Sequence, residues 1–399
     1  MSKIITDNKK INELLTRGVD EVINKNDLEK KLKSGVKLRV KLGIDPTSPN
    51  LHLGRSTPLL KLKDFQELGH QIVFIVGDFT GVIGDTSDKD SERPMMSKEE
   101  IKKNTKDYAH QAGKIINLKK CEVHYNSEWL KKLTYDKIGE QADQFSVAEF
   151  IARENIRTRL DAGARVSVRE MLYPLMQGYD SVAIKADVEI GGTDQRFNLL
   201  AGRKLQEHFN QPAQNIIMGP LMEGADGRKM SSSWGNTINL TDEPNDMFGK
   251  VMSIPDNLII KYFTLATRIP LNDIIGIESQ LKAGANPRDV KAKLAREIVK
   301  MYYSEKEALK AEQGFDKQFK NKEVPDDIPT VELRAEARRY DVIDLLVETK
   351  LVSSKSEARR MIKQGAVKIN QKKVTDNQEV KVEHGMIVQV GKRKFVKIK

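Results

Sequence analysis

The chain has 399 residues, enough for two or three domains, and its 39% apolar and 31% charged residues are ordinary for a globular protein. No apolar run has the length of a membrane span, and Met1 to Asp7 carries neither a secretion core nor an Arg-rich transit pattern. The lone Cys121 excludes an internal disulfide and argues against a cysteine-based zinc site, and a reducing, cytoplasmic location is expected. The net charge of +11 is uneven: residues 331–399 hold 17 Lys and Arg against 9 Asp and Glu, and the first 330 residues hold 51 against 48. A basic tail on a near-neutral body predicts a nucleic-acid partner, set against the plainer reading of a solvated lysine-rich surface.

Val36, Leu38, Val40, Leu42 and Ile44 alternate with Lys37, Arg39 and Lys41, which predicts a strand with two distinct faces. Asp45-Pro46-Thr47-Ser48-Pro49-Asn50 breaks it. A helix is predicted from about Gly54 to Leu68, with Pro58 tolerated in its first turn. Ile72 to Val76 is a continuous apolar run closed by Gly77, the pattern of a strand buried on both faces. Strand, helix and strand make a right-handed βαβ unit, and a Rossmann-type, doubly wound parallel α/β sheet is expected. Residues 79–187 read as a mostly helical insertion. The sheet resumes at Val188-Glu189-Ile190, followed by a helix from Asp194 to about His208 and a strand over Asn215–Met218. The expected domains are a catalytic domain over 1–236 with a loop at 223–236, a helical domain over 237–322, a linker over 323–335 and a small αβ module over 336–399.

Two short motifs carry the chemistry. Leu51-His52-Leu53-Gly54-Arg55 falls where a strand ends and a helix begins, at the carboxyl edge of the sheet, where helix N-termini offer donors to phosphate. Gly54 lets a base or ribose approach the backbone. Taken alone, the motif reads more readily as a surface histidine beside a helix-capping glycine. Lys229-Met230-Ser231-Ser232-Ser233 lies in the Gly- and Ser-rich loop. The ordered pair suits adenylate formation, whose transition state needs cations and donors from two directions. Gly191-Gly192-Thr193-Asp194-Gln195 ends a strand and starts a helix. Its Asp suits ribose hydroxyls, and Thr193 or Asp194 also suits a plain N-cap. Tyr173, Gln177 and Asp180 share one helical face.

With Gly43-Ile44-Asp45-Pro46-Thr47, Gly81-Val82-Ile83-Gly84-Asp85 and Gln177-Gly178-Tyr179-Asp180, these motifs resemble bacterial tyrosyl-tRNA synthetases over essentially the whole chain, including a C-terminal module similar to the S4 RNA-binding fold. The resemblance implies a tyrosine–tRNA ligase. Such an enzyme converts tyrosine and ATP into tyrosyl-adenylate and pyrophosphate, then transfers tyrosine to the terminal adenosine of tRNA(Tyr). It implies a tyrosine pocket of Tyr173, Gln177, Asp180, Asp85, Asn126 and Gln195, with Asp180 accepting from the phenol. The same resemblance implies ATP contacts at Gly43, Asp45, His52, Gly54, Gly192, Asp194, Lys229 and Met230. Catalytic roles are implied for Thr47, His52, Arg55, Lys229, Ser232 and Ser233, and pyrophosphate contacts for Lys89 and Arg93. Mg2+ is expected to arrive with ATP, with no resident metal and no prosthetic group. A homodimer is implied, with residues 120–170 the expected contact, and no membrane partner.

Two positions depart from the family's pattern: Arg55 stands where histidine is usual, and Ser232 where lysine is frequent. One hypothesis is that Arg55 serves the ATP end as a longer, permanently charged donor; the other is that it points to solvent. In the tail, Ser356 to Lys363 predicts a short helix with Ala358, Met361 and Ile362 inward. Arg359, Arg360 and Lys363 with Lys372 and Lys373 form the expected RNA patch, extended by Lys392, Arg393 and Lys394. Lys291, Lys293 and Arg296 on one helix are expected to help read the anticodon. The rival readings are the tryptophan-specific sister family, a non-catalytic RNA-binding relative and another nucleotidyltransferase.

Overall fold

A computed structural model describes residues 3–87, 95–319, 328–333, 339–391 and 394–399. The chain forms two compact units, Met1–Glu312 and Gln313–Lys399. Among the described residues no helix is long and apolar enough to cross a membrane.

The first unit is built on a six-stranded sheet of β1 (Glu21–Ile23), β2 (Arg39–Ile44), β3 (Gln71–Val76), β4 (Cys121–Tyr125), β5 (Val188–Gly192) and β6 (Asn215–Gly219), in the order β1-β6-β5-β2-β3-β4. All pairings are parallel except β1 with β6. The chain winds outward from β2 through β3 to β4, then returns to β5 on the other side of β2. That reversal is the topological switch point, and it leaves a crevice beyond the carboxyl ends of β2 and β5. The β2–β5 ladder pairs Val40 with Val188 and Lys41 with Glu189, while the strands run on to Ile44 and Gly192.

The expected helix after β2 spans Leu53–Glu67, with Pro58 in its first turns, and buries Leu59, Leu60, Leu62 and Phe65. Two strands escape the sequence reading. β4 interrupts the expected helical insertion; as an edge strand it is only partly buried, so Cys121-Glu122-Val123-His124-Tyr125 shows no apolar run. β1 is three residues long and carries no periodic signal. The alternation is present from Leu38 on, with Val36 outside β2 and exposed, but the polar face meets water only in part: Lys37 is exposed, Arg39 half-buried and Lys41 out of water. The helix Val168–Ile184 crosses that face at Lys41. A capping box of Ser167 and Glu170 starts that helix, and Lys185 ends it in the left-handed region at φ +51°.

Helices Pro244–Met252, Ile259–Ala266, Leu271–Lys282, Pro287–Tyr302 and Glu305–Phe319 follow. In the second unit β7 (Thr330–Val331), β9 (Val367–Ile369), β10 (Lys372–Lys373), β12 (Ile387–Val390) and β13 (Lys394–Ile398) form one sheet, ordered β10-β9-β12-β13-β7, and β8 (Arg339–Asp341) pairs with β11 (Glu379–Lys381). Its core gathers Val342, Leu345, Leu346, Ala358, Ile362, Val367 and Val388.

Candidate active site

The crevice at the switch point is a cavity of about 300 Å³. Every residue of the first unit expected to hold tyrosine, hold ATP or act in catalysis lines it: Gly43, Asp45, Thr47, His52, Gly54, Arg55, Asp85, Asn126, Tyr173, Gln177, Asp180, Gly192, Asp194, Gln195, Lys229, Met230, Ser232 and Ser233. Lys89 and Arg93 lie outside the described residues.

At one end the helix Val168–Ile184 brings Tyr173, Gln177 and Asp180 to the wall. Asp180 is buried, and accepts from Trp129 Nε1 at 2.7 Å and Asn126 Nδ2 at 3.3 Å. Burial raises its carboxyl to about 7; the positive charge of Lys41 and the two donors pull the other way. The Tyr173 hydroxyl donates to Asp45 Oδ2 at 2.9 Å, and Thr80 Oγ1 donates to Asp45 Oδ1 at 2.6 Å. Gly77 is required here, because a β-carbon at that position would lie 1.9 Å from Asp45 Oδ1. Asn126 also donates to Thr80 Oγ1 at 2.9 Å and accepts from the Phe79 amide at 3.0 Å, which fixes its carboxamide with one N–H toward Asp180. Gln195 Nε2 donates to Asp85 Oδ2 at 2.7 Å, and Gln177 Nε2 donates to Glu189 Oε1 at 3.3 Å.

The other end is built on the start of the helix Leu53–Glu67. His52 is 6% exposed, and its Nδ1 has no hydrogen-bond partner among the described residues. Burial, with the cations Arg55 and Lys229 nearby, lowers its pKa to about 3, so the imidazole is neutral at physiological pH. Gly54 packs against it: a β-carbon there would sit 3.1 Å from His52 Nδ1, and the Gly54 amide donates to Met230 Sδ at 3.4 Å. Space above Gly43 is open, with no atom within 4 Å of an added β-carbon. Across the cleft, Lys229 Nζ lies 2.8 Å from Asp194 Oδ2. Gly192 admits the Asp194 side chain, since a β-carbon would approach its Oδ1 to 2.5 Å. Ser232 Oγ donates to Ser48 Oγ at 3.2 Å in an exposed contact, and Ser233 is exposed.

Arg55 does not point to solvent. One arm of its guanidinium, Nη1, donates to the Asp45 carbonyl at 3.0 Å and to the Tyr108 hydroxyl at 2.6 Å, and Nη2 donates to Thr47 Oγ1 at 2.8 Å. It ties down the segment between β2 and the helix and holds a permanent charge at the wall.

Sequence reasoning missed Trp129, Thr80, Tyr108 and the buried pair Lys41–Glu189. No spacing announces the first three. Glu189 did leave a signal, a carboxylate inside the apolar strand Val188-Glu189-Ile190 of a parallel sheet, which calls for a buried cation. Among the described residues no group of three or more His, Cys, Asp or Glu is placed to hold a metal ion.

In the second unit the helix Lys355–Lys363 is capped by Ser354 and buries Ala358 and Ile362. Arg359, Arg360 and Lys363 are exposed, as are Lys372 and Lys373 on β10. Lys373 lies across Gly365, whose φ of +64° ends the helix. Lys394 donates to the Leu351 carbonyl at 3.1 Å, and Lys392 and Arg393 lie outside the described residues. In the helix Pro287–Tyr302, Lys291 pairs with Asp256 at 2.8 Å and Arg296 with Glu312 at 3.2 Å, so those two cations are already engaged while Lys293 is exposed.

Comparison with known proteins gives a consistent picture. Residues 32–320 match the family described as tRNA synthetases class I (W and Y), and residues 320–398 match the tyrosine–tRNA ligase SYY-like C-terminal domain. A tyrosine–tRNA ligase of Thermotoga maritima is 46% identical over 388 residues, covering 96% of each chain. One from Carboxydothermus hydrogenoformans is 46% identical over 397 residues, covering 97% of each. The fold resembles a C-terminally truncated mitochondrial tyrosyl-tRNA synthetase of Aspergillus nidulans, with a TM-score of 0.64 at 19% identity over 78% of this chain and 94% of that one. A tyrosyl-tRNA synthetase of Archaeoglobus fulgidus complexed with L-tyrosine gives 0.60 at 22% identity, over 76% and 99%.

Proposed function

The chain belongs to the class I tRNA synthetases of the tryptophan and tyrosine group, and from that premise we propose that it is a tyrosine–tRNA ligase using ATP and tRNA(Tyr). The observation that carries the choice of tyrosine is Asp180. A buried carboxylate at the end of the cleft, held by Trp129 and Asn126, is an acceptor for a phenol O–H and has no partner in an unsubstituted ring.

In this reading the substrate ammonium lies among Tyr173, Gln177 and Asp85, and the carboxylate points toward the nucleotide. ATP lies across Gly43 and Gly54, its ribose on Asp194 and its phosphates between His52 and Lys229. Ribose at Asp194 takes over the carboxylate that Lys229 contacts and releases the ammonium for phosphate. One tyrosine carboxylate oxygen attacks the α-phosphorus, the bond to the bridging oxygen breaks, and pyrophosphate departs with the electron pair. Positioning and charge stabilisation supply the rate, without a protein nucleophile. Neutral His52 donates to phosphate without adding charge, while Lys229 and Arg55 face the developing charge. Thr47, Met230, Ser232 and Ser233 complete the wall. Lys89 and Arg93 are assigned to pyrophosphate by position alone. Magnesium enters with the nucleotide, whose phosphates supply the oxygen ligands it prefers.

The tail grips tRNA phosphates through Arg359, Arg360, Lys363, Lys372 and Lys373. The catalytic domain is assigned residues 1–236, the helical domain 237–322, the linker 323–335 and the RNA-binding module 336–399. The chain acts as a homodimer in the cytoplasm, and the apolar side chains exposed between 125 and 168, among them Tyr135, Val147, Leu160 and Val168, support a contact there. Purified protein is expected to catalyse pyrophosphate exchange into ATP with tyrosine and not with tryptophan. Exchange driven by tryptophan alone refutes the assignment.

A further inference from the structure

Lys41 and Glu189 are opposite charges buried to 0% and 2% side-chain exposure, 2.9 Å apart, and paired in register as the last rung joining β2 to β5. The crevice opens directly above them. Lys41 Nζ also donates to the Gln177 carbonyl at 2.9 Å and to Ser181 Oγ at 2.8 Å. These two atoms bracket the helical turn that carries Asp180. Glu189 Oε1 takes the Gln177 side-chain N–H, and Glu189 Oε2 takes Ser181 Oγ at 3.2 Å and Gln214 Nε2. Ion-pairing two desolvated groups is a poor route to stability, since apolar residues of similar volume commonly fold as well. The value of this pair therefore lies in what it holds.

We infer that Lys41 and Glu189 are positioning residues for the amino-acid substrate: from beneath the sheet edge they fix the turn Gln177–Ser181, so that the Gln177 carboxamide and the Asp180 carboxylate stand at a set separation before substrate enters. The inference rests on the tyrosine reading above. Glu189 lines the cavity and Lys41 lies behind it, and their hydrogen bonds go to Gln177, Ser181 and Gln214 at the tyrosine end. Of the nucleotide groups, His52 and Lys229 are carried by other segments, the start of the next helix and the 223–236 loop, while Gly43 and Gly192 stand further along β2 and β5 themselves.

The test is steady-state pyrophosphate exchange by the full chain, for the parent, the double variant Lys41→Met/Glu189→Met and Ser181→Ala, with KM measured separately for tyrosine and ATP. The double variant leaves no unpaired buried charge. It is expected to raise KM for tyrosine about tenfold, the weight of one or two misplaced hydrogen bonds, and to leave KM for ATP within about twofold. Discrimination against phenylalanine falls alongside. Ser181→Ala removes one hydroxyl and no charge, and a rise of about twofold in tyrosine KM is expected. A double variant that folds and keeps the parent's tyrosine KM overturns the inference, as does an equal rise in both KM values. Should the double variant not fold, unchanged tyrosine KM in Ser181→Ala overturns it. A parent without tyrosine-dependent exchange overturns the tyrosine reading instead.

Discussion

The two ends of the cleft are built on opposite plans. At the tyrosine end Asp180, Asn126 and Tyr173 are nearly out of water, and their polar atoms are tied to one another and to Trp129, Thr80 and Asp45. At the nucleotide end Lys229 is about a quarter exposed and Ser232 and Ser233 are open, while His52 and Met230 are deeply buried. The difference matches what each end must do. Selecting one side chain requires donors and acceptors whose alternative partner is absent, which a dry wall provides. Meeting charge that develops and then leaves as pyrophosphate requires cations aimed at the phosphates and an edge open enough to release them.

The plans separate under mutation. Lys229→Ala removes a cation aimed at the leaving phosphates, and kcat for exchange is expected to fall about 100- to 1000-fold with tyrosine KM unmoved. Asp180→Ala strands the Trp129 and Asn126 donors, and kcat/KM for tyrosine is expected to fall about 100-fold with ATP KM unmoved. If either variant shifts both substrates equally, the two ends are not independent.

Acidity gives a further contrast. Asp180, raised to about 7, changes charge near neutrality, while His52 at about 3 stays neutral. Protonation removes an acceptor, so KM for tyrosine is expected to fall about tenfold from pH 6 to pH 8 in the parent and to stay flat in Asp180→Asn. His52 adds no slope to ATP KM over that range. The sign for folding is the reverse. A carboxyl raised above its usual 3.8 favours the protonated folded form, so its contribution to stability is full below about 4 and is lost as pH rises through about 7.

Arg55→Ala is expected to lower kcat for exchange about tenfold, because it removes a charge and frees Thr47 and the Asp45 carbonyl. Activity equal to the parent's in this variant and in Arg55→His assigns the guanidinium to structure alone. The smallest effect is expected at Ser232→Ala, within about twofold, since an exposed hydroxyl contact contributes little.

Legibility in the sequence followed the same division. The alternation of Leu38 to Ile44 and the apolar run Ile72–Val76 exposed the βαβ unit because those segments have a buried face that dictates residue type, whereas Val36, read as part of the same face, lies outside β2 and is exposed. β4 hid because an edge strand is half wet. His52, Gly54 and Lys229 were legible through local motifs, and Tyr173, Gln177 and Asp180 through helical spacing. Trp129 and Lys41 were not, since their partners stand 51 and 148 positions away, and only the folded sheet brings them together. Reading Lys41 on the polar face of β2 was sound for the strand and uninformative about the helix that covers it.

The account turns on Asp180 as the acceptor that makes the cleft specific for a phenol. Pyrophosphate exchange by the full chain with tyrosine, phenylalanine and tryptophan, run for the parent and for Asp180→Ala, tests this directly. The account predicts exchange with tyrosine in the parent, little with the other two, and a narrowing of the tyrosine–phenylalanine gap in the variant. A gap that is unchanged by removing the carboxylate contradicts it.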